Sequence, residues 1–173
     1  EQSVNVVNQG EGELYARVIM EGQPAPGEEK VLVNGLRMNV VYKGTNGEVI
    51  NISDLRQGTD FVAEVTVYNT GMMGNQDQLA LTHIIPSGWE ILNTRLLNLD
   101  AFNRQSDYDF QNIRDDRVYT YFDLAAGERK TFRMMLNASY TGRFYQPAIY
   151  CESMYDNSIN AGLSGQWIEV VNP

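Results

Sequence analysis

With 173 residues, 43% of them hydrophobic and 20% charged, the chain can bury one substantial core without covalent staples. Its formal net charge of −9, from 22 acidic and 13 basic residues, repels phosphate backbones and anionic lipid, which argues against nucleic-acid and membrane-surface binding. One cysteine excludes an internal disulfide, and no apolar run reaches the ~18 residues of a membrane helix, so direct membrane insertion is not expected.

Taken in order, the chain reads as strands nearly throughout. It opens Glu1-Gln2-Ser3 without an initiator Met, as a piece of a longer protein would. Two strands are expected at Val4 to Val7 and Glu13 to Met20, the second with Leu14, Ala16, Val18 and Met20 on one side. Two short strands cannot bury a face alone. Gln23-Pro24-Ala25-Pro26-Gly27 follows, too rich in proline for a central strand, and marks a boundary. Leu36, Met38, Val40 and Tyr42 alternate in the next strand, which ends at the turn Asn46-Gly47. Residues 60–69 (DFVAEVTVYN) place Phe61, Ala63, Val65 and Val67 on one face and Asp60, Glu64 and Thr66 on the other, the period of a strand with one buried side. Leu79 to Ile85 is a further strand, followed by the turn Pro86-Ser87-Gly88. Thr94 to Arg104, with Leu96, Leu97 and Leu99, is the best helical candidate. Asn93 to Arg117 is otherwise too polar to read as strand.

Strands resume at Arg117 to Phe122, then at 131–140, where Phe132, Met134, Leu136, Ala138 and Tyr140 share a face. Phe144 to Glu152 and Gln166 to Val171 complete the set. Gln57-Gly58, Ala126-Gly127-Glu128 and Thr141-Gly142 supply the turns between. Many short alternating strands joined by such turns predict an all-β fold, an antiparallel β-sandwich of immunoglobulin or fibronectin type III kind. Residues 1–27 divide off as strands of a preceding domain plus a linker, and 28–173 form the sandwich.

Catalytic chemistry finds little support. His83, the only histidine, lies on the Leu79–Leu81–Ile85 side of its strand, where a packing role is the stronger reading. Cys151 is flanked by Tyr150 and Glu152, which offer a thiolate nothing, so it reads as an inert buried thiol. One histidine and one cysteine make no usual zinc site. Asp107 with Asp109, and Asp115 with Asp116, are carboxylate pairs, but Arg114 and Arg117 bracket the second and favour a polar turn. The glycines fall singly at turns and cradle no phosphate. No catalytic residue, cofactor or metal is therefore expected. Tyr119, Tyr121 and Tyr145 leave open an adhesion or carbohydrate-binding module of a bacterial surface protein, provided they are exposed.

A resemblance carries the reading further. Ile113-Arg114-Asp115-Asp116-Arg117 leading into Val118–Leu124, then Gly127, Phe132, Thr141-Gly142-Arg143-Phe144 and Pro147, resembles the last domain of bacterial α2-macroglobulins. So do Ser53 to Gly58, Ile85 to Glu90, and Met154-Tyr155-Asp156. The resemblance implies a macroglobulin domain in a large, non-enzymatic protease trap, periplasmic or held at the cell envelope as a lipoprotein. It implies that residues 1–27 end a CUB-like domain, and that the partners are this CUB-like domain, a thioester domain of the same chain and, through the whole protein, target proteases. It further implies that Met154 and Tyr155 shield the thioester from water, supported by Asp156 and Asn157. The thioester's own Cys-x-x-Gln motif is absent here, because Met154 stands three residues after Cys151. Asn157 occupies the place of the family's proline, so φ is not fixed there by a ring.

Overall fold

A computed structural model describes residues 4–19, 22, 24–92 and 106–172. Among them are thirteen strands and no helix. In chain order the strands are β1 (Leu32–Asn34), β2 (Leu36–Gly44), β3 (Asp54–Arg56), β4 (Asp60–Asn69), β5 (Gln76–Ile84), β6 (Trp89–Ile91), β7 (Phe110–Ile113), β8 (Arg117–Leu124), β9 (Arg129–Ala138), β10 (Gly142–Gln146), β11 (Ile149–Ser153), β12 (Asn160–Leu163) and β13 (Gln166–Val171). They form a six-stranded sheet in the order β1-β12-β11-β5-β8-β7, a four-stranded sheet β2-β4-β9-β6 and a three-stranded sheet β10-β13-β3. All pairs are antiparallel except β13 with β3.

The four-stranded sheet packs against both of the others. Leu36, Val65, Val67 and Phe132 from it meet Leu79, Leu81, Phe122 and Leu124 of the six-stranded sheet. Phe61, Ala63, Leu136 and Trp89 meet Leu55, Ile168 and Val170 of the three-stranded sheet. Phe61 and Trp89 sit edge to face with ring centroids 4.8 Å apart. The predicted inward face of 60–69 is buried in full, and each large side chain there contributes about 1.5–3 kcal/mol of hydrophobic burial.

Phe144 to Glu152, expected as one strand, is two. Pro147 has no N–H for a ladder, and the chain passes there from the three-stranded sheet to the six-stranded one. The returning limb bends opposite it, at Ser164-Gly165. Gln146 faces Gln166 and Ile149 faces Leu163, so the register carries across the bend without slipping. The whole is one long hairpin with its tip at 154–159. Gly165 permits the bend: a Cβ there would stand 2.1 Å from the Tyr145 hydroxyl.

Other expectations need correction. No strand forms within residues 4–19, whose apolar side chains are exposed; the alternation is strand-like, but no strand lies beside it. The strand expected at 131–140 runs from 129 to 138, leaving Tyr140 outside and exposed, its hydroxyl on Glu90 at 2.8 Å. The polar stretch before Arg117 contains β7, an edge strand whose short ladder is satisfied by β8 alone. The helical candidate at 94–104 lies outside the described residues.

Past the proline turn, the chain is tied to the hairpin. The Tyr145 hydroxyl donates to the Glu29 carboxylate at 2.5 Å and accepts the Gly27 N–H at 2.7 Å. The Ser164 hydroxyl donates to the Glu29 carbonyl at 2.7 Å. Tyr145 in turn stacks edge-on against Trp167, 5.4 Å between centroids, with the Arg143 guanidinium 4.6 Å above the indole.

Asn69, at the end of β4, has no exposed surface. Its amide donates to the carbonyls of Gly74 (2.8 Å) and Leu124 (3.0 Å) and accepts the Gly71 N–H (2.9 Å). Asn69→Ala leaves these buried groups unpaired and should lower unfolding stability by about 2–4 kcal/mol, measured by urea denaturation.

Candidate functional site

The hairpin tip carries Met154 and Tyr155, which are 51% and 79% exposed. Both residue types normally withdraw from water, and β11, which leads into the pair, buries Ile149, Cys151 and Ser153 while exposing the residues between. The loop that displays them is held closely. The Ser153 N–H donates to the Ile159 carbonyl (3.0 Å) and the Ile159 N–H to the Asp156 carbonyl (3.0 Å). Asp156 Oδ1 accepts from both the backbone N–H (2.9 Å) and hydroxyl (2.6 Å) of Ser158. These bonds hold its carboxyl below the usual carboxylate range. The Asn160 amide donates to the Asn157 carbonyl at 2.9 Å. The stiffening a proline would supply at 157 is thus supplied here by side-chain hydrogen bonds on both sides of it.

A bulge in β5 aims the tip. The register between β5 and β8 shifts between Gln76 and Leu79, and Gln78 takes φ +58°. The Asp123 carboxylate accepts the Gln78 N–H at 2.7 Å, and the Gln78 carbonyl accepts the Met154 N–H at 3.1 Å. A non-glycine residue in the left-handed region is uncommon. Here its carbonyl fixes the first residue of the exposed pair.

Two further methionines lie at the same end of the sandwich, and sequence reasoning missed them. Met72 and Met73, in the loop from β4 to β5, are 87% and 47% exposed. Met73 packs on Gly35 beside Ile159: a Cβ on Gly35 would stand 3.1 Å from the Met73 sulfur and 3.6 Å from Ile159. The Gln76 amide donates to the Met73 carbonyl at 2.9 Å. The available signal was local: Gly71-Met72-Met73-Gly74 puts apolar residues where turn chemistry calls for polar ones.

The motifs behind the resemblance divide between the two ends. The turns at Gln57-Gly58, Pro86–Gly88 and Arg114–Asp116 lie at one end. The Met154-Tyr155 pair lies at the other, with the loops 70–75 and 125–128.

His83 and Cys151 do not form a nucleophilic pair. Both are buried. Leu81 faces Cys151 across the sheet, which places His83 diagonally, about 7 Å away at ordinary sheet spacing. Burial, reinforced by Glu152, pushes the Cys151 thiol far above its ordinary range. Burial drops His83 to about 4. A thiolate–imidazolium pair needs both shifts reversed. Among the described residues His83 Nε2 has no hydrogen-bond partner, and it borders a cavity of about 20 Å³ at the seam of the two core clusters, lined by Ala63, Val65, Leu81, Thr120 and Phe132 among others.

The acidic pairs are structural in part. Arg117 forks onto Asp116 with contacts of 2.5 and 3.0 Å, and the turn closes through the Arg114 N–H on the Arg117 carbonyl at 2.9 Å. Among the described residues no three His, Cys, Asp or Glu side chains converge as metal ligands. Tyr119, Tyr121 and Tyr145 are half-buried, and Glu29 takes up the Tyr145 hydroxyl.

Residues 35–157 match the family described as the bacterial alpha-2-macroglobulin MG10 domain. The chain is 27% identical to an alpha-2-macroglobulin of Pasteurella multocida over 171 residues, covering 93% of this chain and 8% of that protein. It is 28% identical to an alpha-2-macroglobulin of Rickettsia conorii over 133 residues, covering 75% and 7%. It thus spans less than a tenth of the length of these curated relatives. Among solved structures, Salmonella alpha-2-macroglobulin reacted with methylamine superposes with a TM-score of 0.72 at 23% identity, over 84% of this chain and 10% of that one. An Escherichia coli alpha-2-macroglobulin running from domain MG7 to the C-terminus superposes at 0.71 and 21% identity, over 83% and 24%. These likenesses establish the fold.

His83 supplies a pH test. Its folded value, about 4, lies below the ordinary 6.5, so between these pH values the unfolded chain takes up a proton that the folded chain refuses. Stability is full above pH 6.5 and falls towards pH 4, by roughly 3 kcal/mol from this group. Thermal unfolding across that window should fall less steeply for His83→Gln than for wild type.

Proposed function

The chain belongs to the bacterial alpha-2-macroglobulin family as an MG10 domain, and from that premise we propose that it is a non-catalytic unit of a protease trap whose exposed Met154-Tyr155 tip covers a thioester carried by another domain of the same parent. The observation that carries the reading is the display of those two side chains on a loop fixed by Gln78, Asp156 and Asn160.

A thioester in water is lost to hydrolysis or amines unless solvent is kept off it. An adaptable thioether beside a flat aromatic ring with one polar edge can seal an irregular apolar mouth. A loop ordered beforehand spends little conformational entropy on docking. Within residues 1–27, the exposed alternating apolar side chains of residues 4–19 fit the edge of a CUB-like domain that supplies the missing neighbour strand. The parent would be a periplasmic or envelope-anchored inhibitor acting on proteases as a whole molecule. The shifts on Cys151 and His83 support a non-enzymatic role.

In full-length protein, Tyr155→Ala should accelerate methylamine-driven release of the thioester thiol by about tenfold, a barrier change of about 1.4 kcal/mol. Thiol titration follows the reaction. An unchanged rate would remove the shielding role and leave the family untouched.

A further inference from the structure

We infer that Met72 and Met73 continue the surface begun by Met154 and Tyr155, and that this single apolar end face docks on an apolar patch with a basic rim, on another domain of the same parent chain. The inference rests on the reading above and adds to it a second loop and the chemistry of the partner.

Three observations support it. First, the two loops are one structural unit: Met73 and Ile159 both close on Gly35, and the Met154 N–H is bonded to Gln78, three residues beyond the loop that holds Met72 and Met73. Second, the face is built before any partner arrives. Asn69 ties the methionine loop to Leu124 and Gly74, Thr70 Oγ1 donates to the Gly35 carbonyl at 2.8 Å, and the Asn75 side chain accepts the Ala126 N–H at 3.0 Å. Exposed methionines on a fixed frame make a surface that adapts its side chains and not its backbone. Third, the rim is acidic. Asp77, Asp123, Glu128, Glu152 and Asp156 are all exposed at this end, against Arg37, Arg129 and the half-buried Lys130. A partner patch of like sign would be repelled, and a basic one drawn in and oriented.

A tethered neighbour suits so small a face. The curated relatives are more than ten times longer than this chain, which covers 8% and 7% of them. A domain on the same chain meets the face at an effective concentration on the order of millimolar, where a modest patch suffices. A separate protein would need a far larger interface.

The test is methionine oxidation in the full-length protein. Dilute hydrogen peroxide is applied, and Met72 sulfoxide is followed by peptide mass spectrometry, with the denatured full-length protein as reference. An undocked Met72, 87% exposed, reacts close to the denatured rate; a docked one reacts at least tenfold slower. Asp77→Lys with Glu152→Lys, both at exposed positions outside the frame of hydrogen bonds, should restore the fast rate. Protection of less than tenfold overturns the docking face. Protection that ignores the two lysines overturns the basic rim, and protection that appears only as protein concentration rises assigns the face to a second copy. Thiol release in Tyr155→Ala is scored separately. Fast oxidation of Met72 with a labile thioester in that variant defeats the extended face and leaves shielding standing; a protected Met72 with an unaffected thioester does the reverse.

Discussion

The amide of Asn69 is the interaction on which the displaying end of this domain depends. It is fully buried, and an amide without partners in that position would be strongly unfavourable. Its donor and acceptor atoms are satisfied only when the β4–β5 loop folds back over it and the end of β8 lies alongside. The loop from β8 to β9 is drawn in too, since the Gly127 N–H bonds the Asn69 carbonyl at 3.1 Å and the Asn69 N–H bonds the Glu128 carbonyl at 2.9 Å. One residue, through its side chain and its backbone together, thereby converts two loop ends into a floor. The hairpin tip stands on that floor through Gln78 and Ile159.

The second constraint is the bent hairpin. Because β10–β11 and β12–β13 run continuously in register through Pro147 and Gly165, the three-stranded and six-stranded sheets are parts of one curved layer over the four-stranded sheet. The tip is the end of that curve. Its position is thus set by packing along its whole length, from Ile168 and Val170 near the bend to Cys151 and Ala161 below the tip. Cys151 is there to fill space, as the small apolar side chain that lets β11 and β12 lie against the core.

The legible parts of the sequence were those where one residue in two is buried. Phe61 to Val67 and Gln166 to Val171 announce their strands because Phe61, Ala63, Val65, Val67, Ile168 and Val170 are buried while Glu64, Thr66 and Glu169 between them are polar and less buried. Strands of three residues, β1, β3 and β6, are too short for a period to register. The break at Pro147 was written in the residue itself, yet the β-rich flanks masked it, because propensity averages over a window while a missing N–H acts at one position. The Met154-Tyr155 pair was found by resemblance. Its supports were not legible: Gln78 and Asp123 are 45 residues apart in sequence, and Met73 and Ile159 come together over Gly35 only because topology brings β4–β5 beside the tip.

The Glu29–Tyr145 junction has a mechanical meaning. β1, the edge strand next to it, has three residues and would peel readily under load. A pull on the chain before Pro24 reaches the Gly27 N–H and the Glu29 carboxylate, both held by the Tyr145 hydroxyl, before it reaches β1. There it is resisted by Tyr145 and Ser164, one on each limb of the hairpin beside the bend. Tension entering along that segment is therefore delivered to both limbs of the hairpin at its bend, so that the lever it moves is the whole hairpin, with the Met154-Tyr155 tip at its far end.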